Sequence, residues 1–226
     1  MRFSIWVRGA LFFIVVALFP SCKDEPSEIT YCPCSSWDNW NDKPDVKCGF
    51  LIVPEDHDKP MGQTIKIAFA IFKSQNQTKS EIPVIMLIGG PGGVALSSPD
   101  RWTNHESRMV GDLIVVEQRG IGRSSPLPDI SETFINIIAA DASSEEEKEI
   151  TLKAMKDKVE EIRGMGIDLT KYNTTQNAKD VGELMRQLNY EKYDLYGMSY
   201  GTKLGIMTMK YFGSKINAAI LEGPAI

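Results

Sequence analysis

The chain has 226 residues, 42% of them hydrophobic, and a formal net charge of −5. That is enough apolar material for a globular core, and it excludes a disordered or fibrous class. Mild acidity without a basic run offers no surface for a nucleic-acid partner.

At the N-terminus, Arg2 and Arg8 precede an apolar run over 11–19, followed by Pro20, Ser21 and Cys22. A basic start and a short apolar core predict a secretory signal over residues 1–21. The run is too short for a membrane span, which needs about 20 apolar residues. A small residue directly before a cysteine is also similar to the lipobox of bacterial lipoproteins, although Phe19 and Pro20 depart from its usual residues. On that reading Cys22 carries lipid and anchors the exported chain to the membrane of the bacterial cell envelope. The alternative is an ordinary cleaved signal with an incidental cysteine. Lys23-Asp24-Glu25 either resembles the Lys-plus-two-acids signal that sends some Gram-negative lipoproteins to the cell surface or starts a solvated tether, and residues 22–33 are expected to be that polar tether.

Cys32, Cys34 and Cys48 remain. Export makes a disulfide permissible. Cys48 with Cys34 is the expected pair, with Cys32 the alternative partner. The bond would close a loop of about 15 residues, worth roughly 3 kcal/mol in the chain-entropy picture. A zinc site is the competing reading, but it would have three thiols and no histidine nearer than His57.

A short apolar strand is predicted over 50–53 and a second over 65–72, read together as an antiparallel pair at a sheet edge. Residues 84–88 and 113–116 are continuous apolar runs, as expected of strands covered on both faces. Residues 193–196 and 218–221 are shorter relatives. Between them, Ser144 with Glu147 predicts a capping box opening an acidic helix that runs to about Arg163. Val181, Leu184, Met185 and Leu188 fall on one helical face. Residues 203–212 are apolar nearly all round, which suits a helix packed on a sheet. Strands alternating with helices define an α/β class with a mostly parallel sheet.

Three motifs follow the predicted strands. Gly89-Gly90-Pro91-Gly92-Gly93 lets the backbone leave its strand sharply and frees an amide for a substrate oxyanion. A phosphate loop is the rival, yet no Gly-Lys-Ser/Thr ending follows and Pro91 removes a donor. Glu117-Gln118-Arg119-Gly120-Ile121-Gly122-Arg123-Ser124 makes a second glycine-bearing turn, in which Arg119 and Arg123 brace neighbouring loops. Gly197-Met198-Ser199-Tyr200-Gly201 has the layout of a nucleophile elbow, where a serine at a tight strand-to-helix turn projects its hydroxyl above the sheet.

Taken together, these motifs resemble the α/β-hydrolase fold and, more narrowly, the secreted prolyl and tripeptidyl aminopeptidases of the S33 type. Residues 48–54, Tyr172-Asn173-Thr174-Thr175, Asp180 and Leu221-Glu222-Gly223-Pro224 are similar to further segments of that family, so the likeness runs from about Cys34 onward. Ile88 and Glu117 depart from residues common in the family, His and Asp. The resemblance implies a mostly parallel sheet with helices on both faces and a peptide substrate, with no metal or organic cofactor. It also implies Ser199 as nucleophile and an oxyanion hole made by the amides of Gly90 and Tyr200.

In this fold the triad runs Ser, then Asp or Glu, then His. Both histidines of the chain, His57 and His105, precede Ser199. Use of His105 as the base would need an unusual circular arrangement. Glu222 reads either as an acid placed just past its strand or as loop surface. The expectation is therefore that residues 34–226 are the N-terminal part of a hydrolase, truncated after the strand that follows the elbow and inactive alone. Two other readings stand beside an exported aminopeptidase: an esterase or lipase of the same fold, and a non-catalytic surface lipoprotein on a degraded hydrolase scaffold.

Overall fold

Alternation along the strands divides the protein into two cores, one on each side of a single sheet. The computed structural model describes residues 28–76, 81–139 and 142–224. The expected signal over 1–21, the lipidation site Cys22 and the Lys23-Asp24-Glu25 segment lie outside the described residues. In chain order the strands are β1 (Glu28–Cys32), β2 (Val46–Pro54), β3 (Thr64–Phe72), β4 (Val84–Leu87), β5 (Leu113–Val116), β6 (Tyr193–Met198) and β7 (Ile216–Glu222). They pair in the order β1-β2-β3-β5-β4-β6-β7. The pairings from β1 to β5 are antiparallel and those joining β5, β4, β6 and β7 are parallel, so the sheet is mixed.

In β3, Ile65, Ile67, Phe69 and Ile71 enter one core, while Ala68, Ala70 and Phe72 enter the other. This period of two is what a pleated strand imposes. The first core is closed by Ala178, Val181, Leu184 and Met185 of α4 (Thr174–Gln187) and by Leu204 of α5 (Tyr200–Phe212). The second is covered by Trp37, Trp40, Ala95, Leu96 and Trp102, the last on the short α1 (Asp100–Thr103). Asn173 starts α4 as its N-cap, its side chain accepting from the Gln176 N–H at 3.0 Å. Among the described residues no helix is long and apolar enough to cross a membrane.

Three expectations are corrected. The polar tether does not extend to residue 33, because Glu28–Cys32 forms β1 against residues 48–52 of β2. A polar strand suits an edge position, where one face meets water and the backbone still gains a ladder partner. The capping box of α3 (Ser144–Gly164) is Ser143 with Glu146, one residue earlier than predicted, with Glu146 accepting from the Ser143 N–H at 3.0 Å and from its hydroxyl at 2.6 Å. Serine followed by glutamate three residues on occurs in both registers, and the extended backbone of Ser143 selects the first. A helix absent from the sequence reading, α2 (Ser131–Ala139), packs on α3. β7 also departs from a covered strand: Ile220 is 61% exposed, and among the described residues β7 pairs only with β6.

Candidate active site

Ser199 sits between the end of β6 and the first residue of α5, with φ 52° and ψ −122°. A non-glycine residue there stores strain of order 1–3 kcal/mol and persists only when its surroundings hold it. Three contacts do so. From β7, the Glu222 carbonyl accepts the Ser199 N–H at 2.9 Å. From α5, the Thr202 N–H and hydroxyl both donate to the Ser199 carbonyl, at 2.9 and 2.6 Å. From the loop after β4, Gly89 lies so close that a Cβ there would come within 2.9 Å of the Ser199 Cβ.

The flanking glycines follow from the same crowding. A Cβ on Gly197 would stand 2.6 Å from the Gly201 carbonyl oxygen, and one on Gly201 would overlap the Leu87 carbonyl of β4. The helix therefore starts in direct contact with the backbone of two strands. Tyr200 is the first residue of α5, so its N–H has no acceptor inside the helix. The Gly90 amide is the next peptide unit after Gly89, and Gly90 itself has φ 122° with no room for a side chain.

Behind this loop lies a buried carboxylate whose role the sequence reading missed. Glu117, at the end of β5, accepts the Leu96 N–H at 2.9 Å and the Arg123 N–H at 2.6 Å. Burial pushes its carboxyl up, against the pull of those two amides and of the Arg123 charge. Arg123 also donates to the Leu96 carbonyl at 2.9 Å, and the Gln118 amide reaches the Ile88 carbonyl at 3.3 Å. Residues 117–123 thus brace both ends of the glycine-rich loop.

Arg119 serves a different cluster. Its guanidinium grips Asp180 of α4 through Nε at 2.8 Å and Nη2 at 2.7 Å, and it donates to the Glu55 and Lys171 carbonyls. His57 Nε2 lies 2.7 Å from the same Asp180 carboxylate, and the His57 N–H donates to Gln176. The Tyr172 phenol, bonded to Glu55, is pushed up to about 12 by burial and by that carboxylate. His57 is therefore committed to a structural network.

His105 accepts the Ser107 N–H at Nδ1 and lies against the rings of Trp102 and Tyr196. Burial, assisted by Arg101, lowers its pKa. It lines a groove of about 650 Å³ with Arg101, Val84, Tyr196 and Ile220, on the sheet face opposite α5. Glu222 pairs in register with Met198, and its carboxylate accepts the Tyr196 hydroxyl at 2.7 Å. Neither histidine is hydrogen-bonded to Ser199.

A serine forced into positive φ where a parallel strand meets a helix, beside a glycine-rich loop leaving the neighbouring strand, defines the nucleophile-elbow class of α/β scaffold. Residues 82–226 match the alpha/beta hydrolase fold family, and the chain belongs to it. It is 27% identical over 194 residues to a tripeptidyl aminopeptidase of Streptomyces lividans, covering 81% of this chain and 36% of that protein. It is 26% identical over 216 residues to the serine protease Hip1 of Mycobacterium tuberculosis (strain ATCC 25618 / H37Rv), covering 86% and 39% respectively. Among solved structures, a probable hydrolytic enzyme from Pseudomonas aeruginosa PAO1 superposes with a TM-score of 0.50 at 14% identity, over 78% of this chain and 41% of that one. The chain thus spans little more than a third of the length of these curated relatives.

Proposed function

We propose that this chain supplies the nucleophile and the oxyanion-binding groups of a serine peptidase that removes short pieces from peptide N-termini. The observation that carries the reading is Ser199 itself, held at positive φ by contacts from the loop after β4, from β7 and from α5 at once. The peptidase assignment rests on the names of the two relatives, a tripeptidyl aminopeptidase and a serine protease.

In the proposed reaction the Ser199 hydroxyl attacks the scissile carbonyl carbon, and the developing oxyanion is bound by the Gly90 and Tyr200 amides. Each such donor typically contributes about 2.7–4 kcal/mol of transition-state stabilisation. The serine proton must pass to a base. His57 is bound to Asp180, and His105 is turned toward Ser107, Trp102 and Tyr196. On this reading the base comes from residues other than these, and the 226-residue chain reacts slowly by itself.

Fluorophosphonate labelling tests both parts. In extracts of the native host, the probe should modify the peptide carrying Ser199, and Ser199→Ala should abolish that signal. The purified 226-residue chain should label at least about 100-fold more slowly than the host protein, consistent with loss of a triad member. No modification of Ser199 in the host protein would refute the nucleophile. Equal rates would refute the outside base.

Export and lipid anchoring belong to the same proposal, motivated by Arg2, the apolar run over 11–19 and Cys22. Cells grown with labelled palmitate should place label on the wild-type protein and none on Cys22→Ser. An unlabelled wild type removes the anchor.

A further inference from the structure

Cys32, Cys34 and Cys48 line one surface pocket of about 350 Å³ together with Tyr31, Asp42 and Lys47. Cys34 and Cys48 are joined by a disulfide with their Cα atoms 5.2 Å apart, and Cys32 is a free, half-buried thiol. The ladder between β1 and β2 places Cys32 directly opposite Cys48. Directly opposed residues of an antiparallel pair share a face, with Cβ atoms about 4.5–5.5 Å apart. Both side chains indeed belong to the tryptophan-rich side of the sheet. Cys48 therefore has two cysteine neighbours, Cys34 bonded to it through the turn and Cys32 facing it across the ladder.

We propose that Cys32 is an exchange thiol that moves the disulfide from Cys34–Cys48 to Cys32–Cys48. The Cys32 thiolate attacks the Cys48 sulfur, the new Cys32–Cys48 bond forms, and the Cys34–Cys48 bond breaks. Cys34 leaves as a thiolate and takes up from solvent the proton that Cys32 gave up. One disulfide and one thiol are present before and after, so no oxidant or reductant is consumed.

The exchange reaches beyond the pocket because of what Cys34 anchors. It opens a 3-10 turn (Cys34–Ser36) that leads into Trp37 and Trp40. The Trp40 indole donates to the Leu96 carbonyl at 3.0 Å, and Arg123 stacks over Trp37 while donating to the same carbonyl. Leu96 in turn donates to Glu117 beside the glycine-rich loop. In the original arrangement the disulfide ties this tryptophan brace to β2. After exchange the bond links β1 to β2, which are already paired, and the brace is cross-linked two residues upstream instead of at its own first residue. The sulfur arrangement thereby sets where the segment that carries Trp37 and Trp40, and through them contacts Leu96 and Arg123, is cross-linked to β2. The exchange step itself is independent of the proposed peptidase activity.

Differential alkylation of the full chain carrying Cys22→Ser tests it. The native protein is held at mildly alkaline pH and quenched with a light maleimide, then denatured, reduced and treated with a heavy maleimide. Cleavage between Cys32 and Pro33 in the mass spectrometer separates the two neighbouring labels. The light label should appear on Cys32 and also on Cys34, and the Cys34 signal should vanish in Cys32→Ser. Light label on Cys32 alone, or on Cys32 and Cys48, overturns the proposal. As a second readout, Cys34→Ser in the same background, refolded in a buffer containing oxidised glutathione as the oxidant and freed of it, should titrate with no free thiol after denaturation and should carry no glutathione, because Cys32 and Cys48 bond. Finding both thiols free would overturn it equally.

Discussion

Replacing Asp180 with alanine should destabilise the fold by about 3–5 kcal/mol, the cost of removing one partner of a buried ion pair and leaving the other behind. Asp180 and Arg119 are both almost completely buried, and the carboxylate receives two guanidinium bonds and the His57 ring. Without it the Arg119 charge stays in the interior facing carbonyls alone. The effect is large because the cluster joins elements far apart in the chain: the β2–β3 turn through Glu55 and His57, the turn after β5 through Arg119, and α4 through Asp180. Urea unfolding of the full chain measures it. Asp180→Asn keeps an acceptor and should fall between wild type and alanine. The apolar pair Arg119→Met with Asp180→Leu should recover only part of the loss, since the Glu55 and Lys171 carbonyls would then lose their donor. A loss under about 1 kcal/mol for Asp180→Ala would place the pair with exposed ion pairs in energetic terms.

Gly201→Ala should cost about 3 kcal/mol or more, at or beyond the upper end of ordinary overpacking. Its Cβ would overlap the Leu87 carbonyl at the end of the central strand β4 and press on the Ile88 carbonyl just after it, backbone atoms that cannot turn aside. The helix must then lift from β4, and the Ser199 carbonyl moves with it because Thr202 holds it twice. Gly205→Ala on the same helix is the control. There the Cβ meets only the ends of the Leu221 and Leu87 side chains, at 3.2 and 3.8 Å. Alanine also gains about 1 kcal/mol of helix propensity over glycine, so Gly205→Ala should stay within about 1 kcal/mol of wild type in the same urea titration. Equal stability of the two variants would mean that α5 does not depend on close approach at Gly201.

Much of the parallel half was legible along the chain. The runs at 84–88 and 113–116 became β4 and β5 because continuous apolar residues must be covered on both faces, while 193–196, interrupted by Asp194, became β6 with alternating burial. The elbow was readable because its glycines are demanded by backbone contacts that no other residue permits. Two things were not legible. A strand such as Glu28–Cys32 looks like a tether, since its order comes from the backbone ladder to β2 and its composition carries little of it. Helix α2 was hidden for a related reason: Ile135 and Ile138 lie exposed, so no solvent-facing polar stripe marks a helical period.

The site divides along the same line. Local order along the chain was sufficient to pick out Ser199, the glycines around it and the loop at 89–93, because backbone geometry restricts which residues can occupy such turns. The destinations of the charged groups were set only in three dimensions. Glu117 and Arg123 close around the Leu96 backbone, His57 and Arg119 meet on Asp180 from 123 and 61 residues away along the chain, and Cys32 falls opposite Cys48. Burial enforces those partnerships: a polar group taken from water must find whatever partner the packed elements bring to it, whatever its distance along the chain.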